Sequence, residues 1–219
     1  MTEIKVLDKS VFNRIAAGEV VERPASVVKE LVENSIDAGA DSITVTIKGG
    51  GIEYICVADN GKGISADQIK TAFLPHATSK IKSVEDLDGI STLGFRGEAL
   101  SSISAVARVE LITKTYDELT GTRYVIEGSK ELSNEEIGAP DGTTFIVKDL
   151  FYNVPARRKF LKTAQTEGSY IDLSLQWLYS TDYITTLTPC EGVTTGTYYL
   201  AWVGRSNNSH PLIRSVTAI

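Results

Sequence analysis

The sequence predicts an α+β fold: a two-layer sandwich of one mixed, mostly antiparallel sheet with helices on one face. Three observations point there. Residues 24–38 repeat apolar side chains at helical spacing, with Val28, Leu31, Val32, Ser35 and Ile36 at i, i+3, i+4, i+7 and i+8. Two strand-like runs, Ile43–Ile47 and Ile52–Ala58, are separated only by Gly49-Gly50-Gly51, the pattern of a hairpin. Three more strands, at 108–114, 121–126 and 143–148, follow a further helix in the second half.

In chain order, Ser10 is placed to cap a first helix over about residues 11–17, which Ala17-Gly18-Glu19 breaks. Pro24 suits the first turn of the main helix, where its missing N–H costs nothing. Gly39 can close that helix in a left-handed conformation. The face opposite the apolar stripe carries Glu30, Glu33, Asn34 and Asp37. Such a face is often only solvated, yet a carboxylate one turn from a carboxamide also suits water activation beside a hard cation. Asp59-Asn60-Gly61-Lys62-Gly63-Ile64 ends the second strand; Ser65 opens a helix to about Leu74, stopped by Pro75. A short helical turn is expected near Val84–Leu87. Leu93-Gly94-Phe95-Arg96-Gly97-Glu98 runs into a helix near Ala99–Val106.

The whole chain has 219 residues, 42% hydrophobic and 23% charged, an ordinary globular composition. No apolar run approaches the roughly 18 residues of a membrane span, and the first residues do not read as a secretory signal. Cys56 and Cys190 form neither a disulfide framework nor a metal spacing; Cys56 reads as core. A reducing cytoplasm is the expected location. The net charge of −6 argues against an autonomous nucleic-acid binder, while Arg157, Arg158, Lys159 and Lys162 form one local basic patch or simply a solvated helix end.

Past about Ile171 the composition changes. Residues 172–219 hold no lysine, eight threonines and five charged residues. The expected division is one folded unit over 1–171 and a tail over 172–219, either the altered opening of another domain or a poorly structured end.

Two glycine stretches can serve a nucleotide. Asp59 ends a strand, and Gly61 and Gly63 let backbone approach a planar ligand closely; Asp59 can accept from an exocyclic amine such as adenine's. A plain strand-ending turn has the same pattern. Gly94-Phe95-Arg96-Gly97 precedes a helix, whose free N–H groups favour phosphate, though any helix start looks alike. It is not the phosphate loop that ends in Gly-Lys-Ser/Thr.

Six segments in order carry a resemblance: Ile15–Pro24 (IAAGEVVERP), Glu30–Ala40 (ELVENSIDAGA), Asp59–Ile64 (DNGKGI), His76–Lys80 (HATSK), Gly94–Leu100 (GFRGEAL) and Asp149–Leu161 (DLFYNVPARRKFL). Together, over about residues 4–171, they resemble the N-terminal ATPase domain of the MutL family of DNA mismatch-repair proteins, which shares its ATP fold with gyrase, Hsp90 and histidine kinases. The resemblance implies a Bergerat-type ATP site. In it Glu30 is the general base, Asn34 the Mg²⁺ ligand and Asp59 the adenine-recognition residue, with Gly61 and Gly63 beside it. Thr78, Ser79 and Lys80 lie in a lid, with His76 packing there. Gly94, Phe95, Arg96 and Gly97 hold phosphates, and Thr143 lies near adenine. ATP and Mg²⁺ are the implied ligands. ATP-dependent homodimerisation, with the segment through Val21 in the contact, is implied too. So is signalling between a mismatch-recognition protein and a downstream endonuclease or helicase. The family's second domain supplies a lysine to the γ-phosphate, a role no residue of 172–219 takes. The implied function is a slow ATPase switch in mismatch repair; the alternative is a nucleotide-gated binding module without turnover.

Overall fold

A computed structural model describes residues 17–80, 97–180, 186–189 and 198–202. The helix expected over 11–17 lies almost wholly outside them, as do the turn near Val84–Leu87 and Cys190.

Helix α1 spans Pro24–Asp37, with Pro24 in its first turn as its φ requirement favours. Its other end closes as the glycine predicts. Gly39 takes φ +75°; its N–H donates to the Ile36 carbonyl at 2.9 Å, and the Ala40 N–H reaches Ser35 at 3.1 Å. This is a Schellman ending. Strand β1 covers Ser42–Lys48 and β2 covers Tyr54–Asp59, joined through a 3-10 turn at Gly49–Gly51. The helix expected from Ser65 shortens to α2, Ile69–Ala72, because the Gln68 N–H turns back to Ser65 first. Helix α3 is Ala99–Val106. Strands β3 (Arg108–Lys114), β4 (Gly121–Glu127), β5 (Lys130–Ile137) and β6 (Gly142–Lys148) follow. Then come α4 (Pro155–Phe160), α5 (Ala164–Ser180), β7 (Thr186–Pro189) and β8 (Tyr198–Trp202). Helix α5 runs across residue 171.

The strands form one sheet in the order β5-β4-β3-β6-β2-β1-β8-β7. Every pairing among the described strands is antiparallel. Strand β5 has no apolar alternation; residues such as Lys130, Glu131, Glu135 and Glu136 make it a charged edge, which discourages further pairing.

Register places the core. Ile47, Ile55, Val147, Val109 and Ile126 form one buried row across β1-β2-β6-β3-β4; Val45, Val57, Phe145, Leu111 and Tyr124 form the next. Each such fully buried side chain contributes about 1.5–3 kcal/mol. The third row changes character: Ile43, Asp59, Thr143, Thr113 and Thr122. The apolar face of the sheet therefore ends in a polar margin. Cys56 alternates outward from these rows and is a half-buried free thiol rather than core.

Helix α1 packs on β1 and β2, with α3 and α5 beside it. Arg23 stacks on Tyr170 of α5 at 4.3 Å from the ring centroid, and Lys29 lies 5.5 Å from Trp177. These cation–π contacts fasten α1 to α5. They also line a concavity of ≈ 380 Å³ with Leu173, bounded by none of the expected nucleotide residues.

Candidate nucleotide site

The polar margin of the sheet is where the expected residues gather. Asp59 ends β2 there, and its carboxylate is held by three donors. Ser35 Oγ donates to Oδ2 at 2.7 Å. The Gly61 N–H donates to Oδ1 at 2.9 Å and the Thr143 N–H at 3.2 Å. Burial pushes the Asp59 carboxyl above the usual aspartate range, and these hydrogen bonds work against that rise. A carboxylate so placed is oriented, desolvated and still an acceptor.

Ser35 belongs to the apolar stripe of α1 by spacing, and the structure gives it a second task. It bonds the Leu31 carbonyl at 3.1 Å as well as Asp59. A hydroxyl within a buried helical stripe requires a partner, and that is the signal by which the sequence could have exposed its role. Thr113, likewise not foreseen, accepts from the Ile64 N–H at 2.9 Å and donates to the Gly142 carbonyl at 3.0 Å. It thereby pins the loop after Asp59 to β3 and β6. Gly63, at φ +73°, lies so close that an added Cβ would fall 2.3 Å from the Lys114 carbonyl oxygen.

Along α1, Glu30 and Asn34 are one turn apart and both half-buried. Asn34 immediately precedes Ser35, so its turn of helix is the one tied to Asp59. Lys80 Nζ donates to Asn34 Oδ1 at 3.0 Å and to Asp37 Oδ2 at 2.6 Å. Lys80, expected in a lid, is thus brought to α1. Thr78 Oγ1 accepts from the Lys80 N–H at 3.1 Å, while Ser79 is exposed. Gly97 takes φ +65°, and a Cβ there would fall 2.5 Å from the Ala77 carbonyl oxygen, so Gly97 abuts the stretch before Thr78. Gly94, Phe95 and Arg96 lie outside the described residues. Thr143 is buried in the margin row, its Oγ1 3.2 Å from that of Thr113.

Three expectations need correction. Glu33 is not on an open polar face: it is 4% exposed and pairs with Lys29 at 3.3 Å, on the flank that α5 covers. His76 is not packed into the lid; its side chain is 79% exposed and its Nδ1 lies 3.2 Å from Glu98. Arg157 donates to the Gly18 carbonyl and so ties α4 to the region before α1, leaving Arg158, Lys159 and Lys162 as the exposed cations of that patch.

Burial pushes the Glu33 carboxyl above its ordinary 4.5, with Lys29 pulling it back. The folded chain then holds this proton to higher pH than the unfolded chain. Its stability contribution is complete below 4.5 and is lost as pH rises through the folded value. Glu33→Gln is expected to gain stability over the unmodified chain as pH is raised from 4.5 towards neutrality. Urea unfolding across that range checks it; a constant difference would show that no such proton is held.

The oxygens of Asn34 and Asp37 already grip a cation, the Lys80 ammonium, which is the chemistry a divalent ion needs. Among the described residues no group of three or more His, Cys, Asp or Glu side chains gathers for a metal.

The sequence profile of a family described as "Histidine kinase-, DNA gyrase B-, and HSP90-like ATPase" matches residues 22–144. "DNA mismatch repair protein MutL" of Agathobacter rectalis is 77% identical over 171 residues, covering 78% of this chain and 26% of that protein. The protein of the same name from Desulforamulus reducens is 58% identical, covering 78% and 27%. The chain spans about a quarter of these relatives' length. Among solved structures, "Aquifex aeolicus MutL ATPase domain complexed with ADP" is similar with a TM-score of 0.56 and 34% identity, over 78% of this chain and 60% of that one. A second, the "N terminal domain of a DNA repair protein", gives a TM-score of 0.60 at 33% identity, over 80% and 50%.

Proposed function

The chain belongs to the histidine kinase-, DNA gyrase B- and HSP90-like ATPases, and from that premise we propose that it binds Mg²⁺–ATP at the polar margin of the sheet and serves as a switch in DNA mismatch repair. The observation that carries this reading is the Asp59 carboxylate, fixed by Ser35, Gly61 and Thr143 and lying beside the turn of α1 that presents Asn34. Its likeness to a MutL ATPase domain complexed with ADP supports the choice of nucleotide.

In this reading Asp59 accepts a hydrogen bond from the adenine amine, with Thr143 beside it. Its fixed orientation selects adenine over a purine bearing an oxygen there. Gly61 and Gly63 let the backbone lie against the base. Glu30 orients the attacking water and takes its proton. Asn34 is the protein's oxygen ligand to Mg²⁺, which when bound neutralises charge on the phosphates. Gly94, Phe95, Arg96 and Gly97 hold those phosphates, and Thr78, Ser79 and Lys80 close over them. Closure favours a homodimer, which passes the state of the site from a mismatch-recognition protein to an endonuclease or helicase. The exposed Arg158, Lys159 and Lys162 are the chain's contribution to any DNA contact. The nucleotide-binding unit is taken as residues 1–171, although helix α5 continues unbroken to Ser180 and buries Leu175 and Leu178.

Calorimetric titration with Mg²⁺–ATP tests the binding, and phosphate release tests turnover. Glu30→Gln should retain ATP binding and lower steady-state release by at least about 100-fold, the usual share of a general base. Equal rates in both chains would remove Glu30 from that role, and absence of binding in the unmodified chain would remove the whole reading. Binding with no release in the unmodified chain would favour the nucleotide-gated binding module.

A further inference from the structure

The Lys80 ion pair is not surface decoration. The side chains of Lys80 and Asp37 are only 18% and 11% exposed, and the same ammonium also occupies Asn34 Oδ1. Exposed pairs of this kind contribute little, but a largely desolvated cation with two oxygen acceptors holds its place. Lys80 belongs to a segment fastened at its other end as well. Ala77 is in backbone contact with Gly97, and His76 pairs with Glu98 at the start of α3. The stretch 76–80 therefore bridges the metal-ligand turn of α1 and the end of the phosphate loop.

We propose that the Lys80 ammonium is a built-in stand-in for the divalent ion, latching the lid to Asn34 and Asp37 until the ion displaces it. This rests on the Mg²⁺–ATP reading of the site and adds two things to it. Asp37 becomes a second oxygen of the cation site, and entry of the ion is coupled to release of the lid. The coupling is electrostatic. One carboxamide oxygen cannot serve an ammonium and a divalent ion at hydrogen-bond and ligand distance together, since the two like charges repel across a site with little water to screen them. Once freed, the Lys80 ammonium can turn to the nucleotide's phosphates. The ammonium thus passes from competitor to partner of the ligand.

Mn²⁺ alone is the probe, with the free ion counted by electron paramagnetic resonance and no nucleotide present. Lys80→Met, which keeps the length and removes the charge, is expected to bind Mn²⁺ at least about fivefold more tightly than the unmodified chain, the lower end of ordinary coupling between two linked events. The double change Lys80→Met with Asp37→Asn is expected to lose that gain. In the unmodified chain, Mn²⁺ is expected to speed tryptic cleavage after Lys80. Equal or weaker Mn²⁺ binding in Lys80→Met, including none in either chain, overturns the latch. So does a gain that survives Asp37→Asn, or cleavage indifferent to Mn²⁺. Because none of these measurements uses ATP, failure of the latch is distinct from failure of the nucleotide reading, which the calorimetric titration decides.

Discussion

Asp59→Asn is expected to bind ATP about 10- to 100-fold more weakly than the unmodified chain. A hydrogen bond to a charged group contributes about 1.5–3 kcal/mol, and 1.4 kcal/mol is one decade in affinity. The carboxamide has nearly the same shape, but it offers one oxygen where the carboxylate offers two. Three donors, from Ser35, Gly61 and Thr143, already converge on that carboxylate. In the variant, the NH₂ group must face either Ser35 or the pair of backbone N–H groups, and the adenine amine then competes for what remains. Fluorescence or calorimetric titration with Mg²⁺–ATP reads the loss. GTP supplies a control, since its C6 bears an oxygen where adenine bears the amine, and it should discriminate far less between the two chains. An ATP affinity within threefold of the unmodified value would place base recognition elsewhere.

The same change separates binding from folding. Burial raises the Asp59 carboxyl above its ordinary 3.8, so as pH climbs through the folded value the ionised group weighs against the fold. Asp59→Asn removes that pH dependence. A variant that folds well at neutral pH yet binds ATP more weakly is the expected combination, and it marks a residue held for a ligand rather than for stability.

Much of this site is legible in the sequence because its signals are local. The stripe of α1, the left-handed Gly39 and the alternation in β1, β2, β3, β4 and β6 are each set by a few neighbouring residues. The end of β2 at Asp59 then follows from the glycines behind it. Features decided by distant chain are not legible in this way. Strand β5 is polar on both faces and forms only because β4 offers an edge. Helix α5 does carry a local stripe, Ile171, Leu175 and Leu178 at i, i+4 and i+7 and all buried, but the surface it packs on is supplied by α1 far upstream. Glu33 reads as part of an open polar face for the same cause: its burial beside Lys29 is set by packing that no local pattern shows. Ser35 shows the converse. Its position was read correctly, but its partner lies 24 residues away, and only register across the sheet shows that the partner is Asp59.

The largest loss of stability is expected from a single methyl group at Gly142. This residue opens β6 at φ +109°, a conformation that L side chains rarely adopt, and an added Cβ would stand 2.2 Å from the Asp59 carbonyl oxygen. Positive-φ strain at a non-glycine residue costs about 1–3 kcal/mol. Here the clash is with backbone, so relief requires β2 and β6 to part at the polar margin. Gly142→Ala is therefore expected to lower unfolding stability by more than about 3 kcal/mol, a large share of the roughly 5–15 kcal/mol typical of a domain. Gly138, four residues earlier, has nothing within 4 Å of an added Cβ and no positive φ. Its alanine variant should fall within about 0.5 kcal/mol of the unmodified chain or be slightly more stable. Urea unfolding of the two variants side by side reads the contrast. ATP titration of whatever Gly142→Ala remains folded should show weakened binding too, because the strand that must shift carries the Thr143 N–H to the Asp59 carboxylate. Equal stability of the two variants would mean that β2 and β6 are not in contact at this end. The convergence of Asp59, Thr143 and Thr113 would then fail, and the adenine pocket with it.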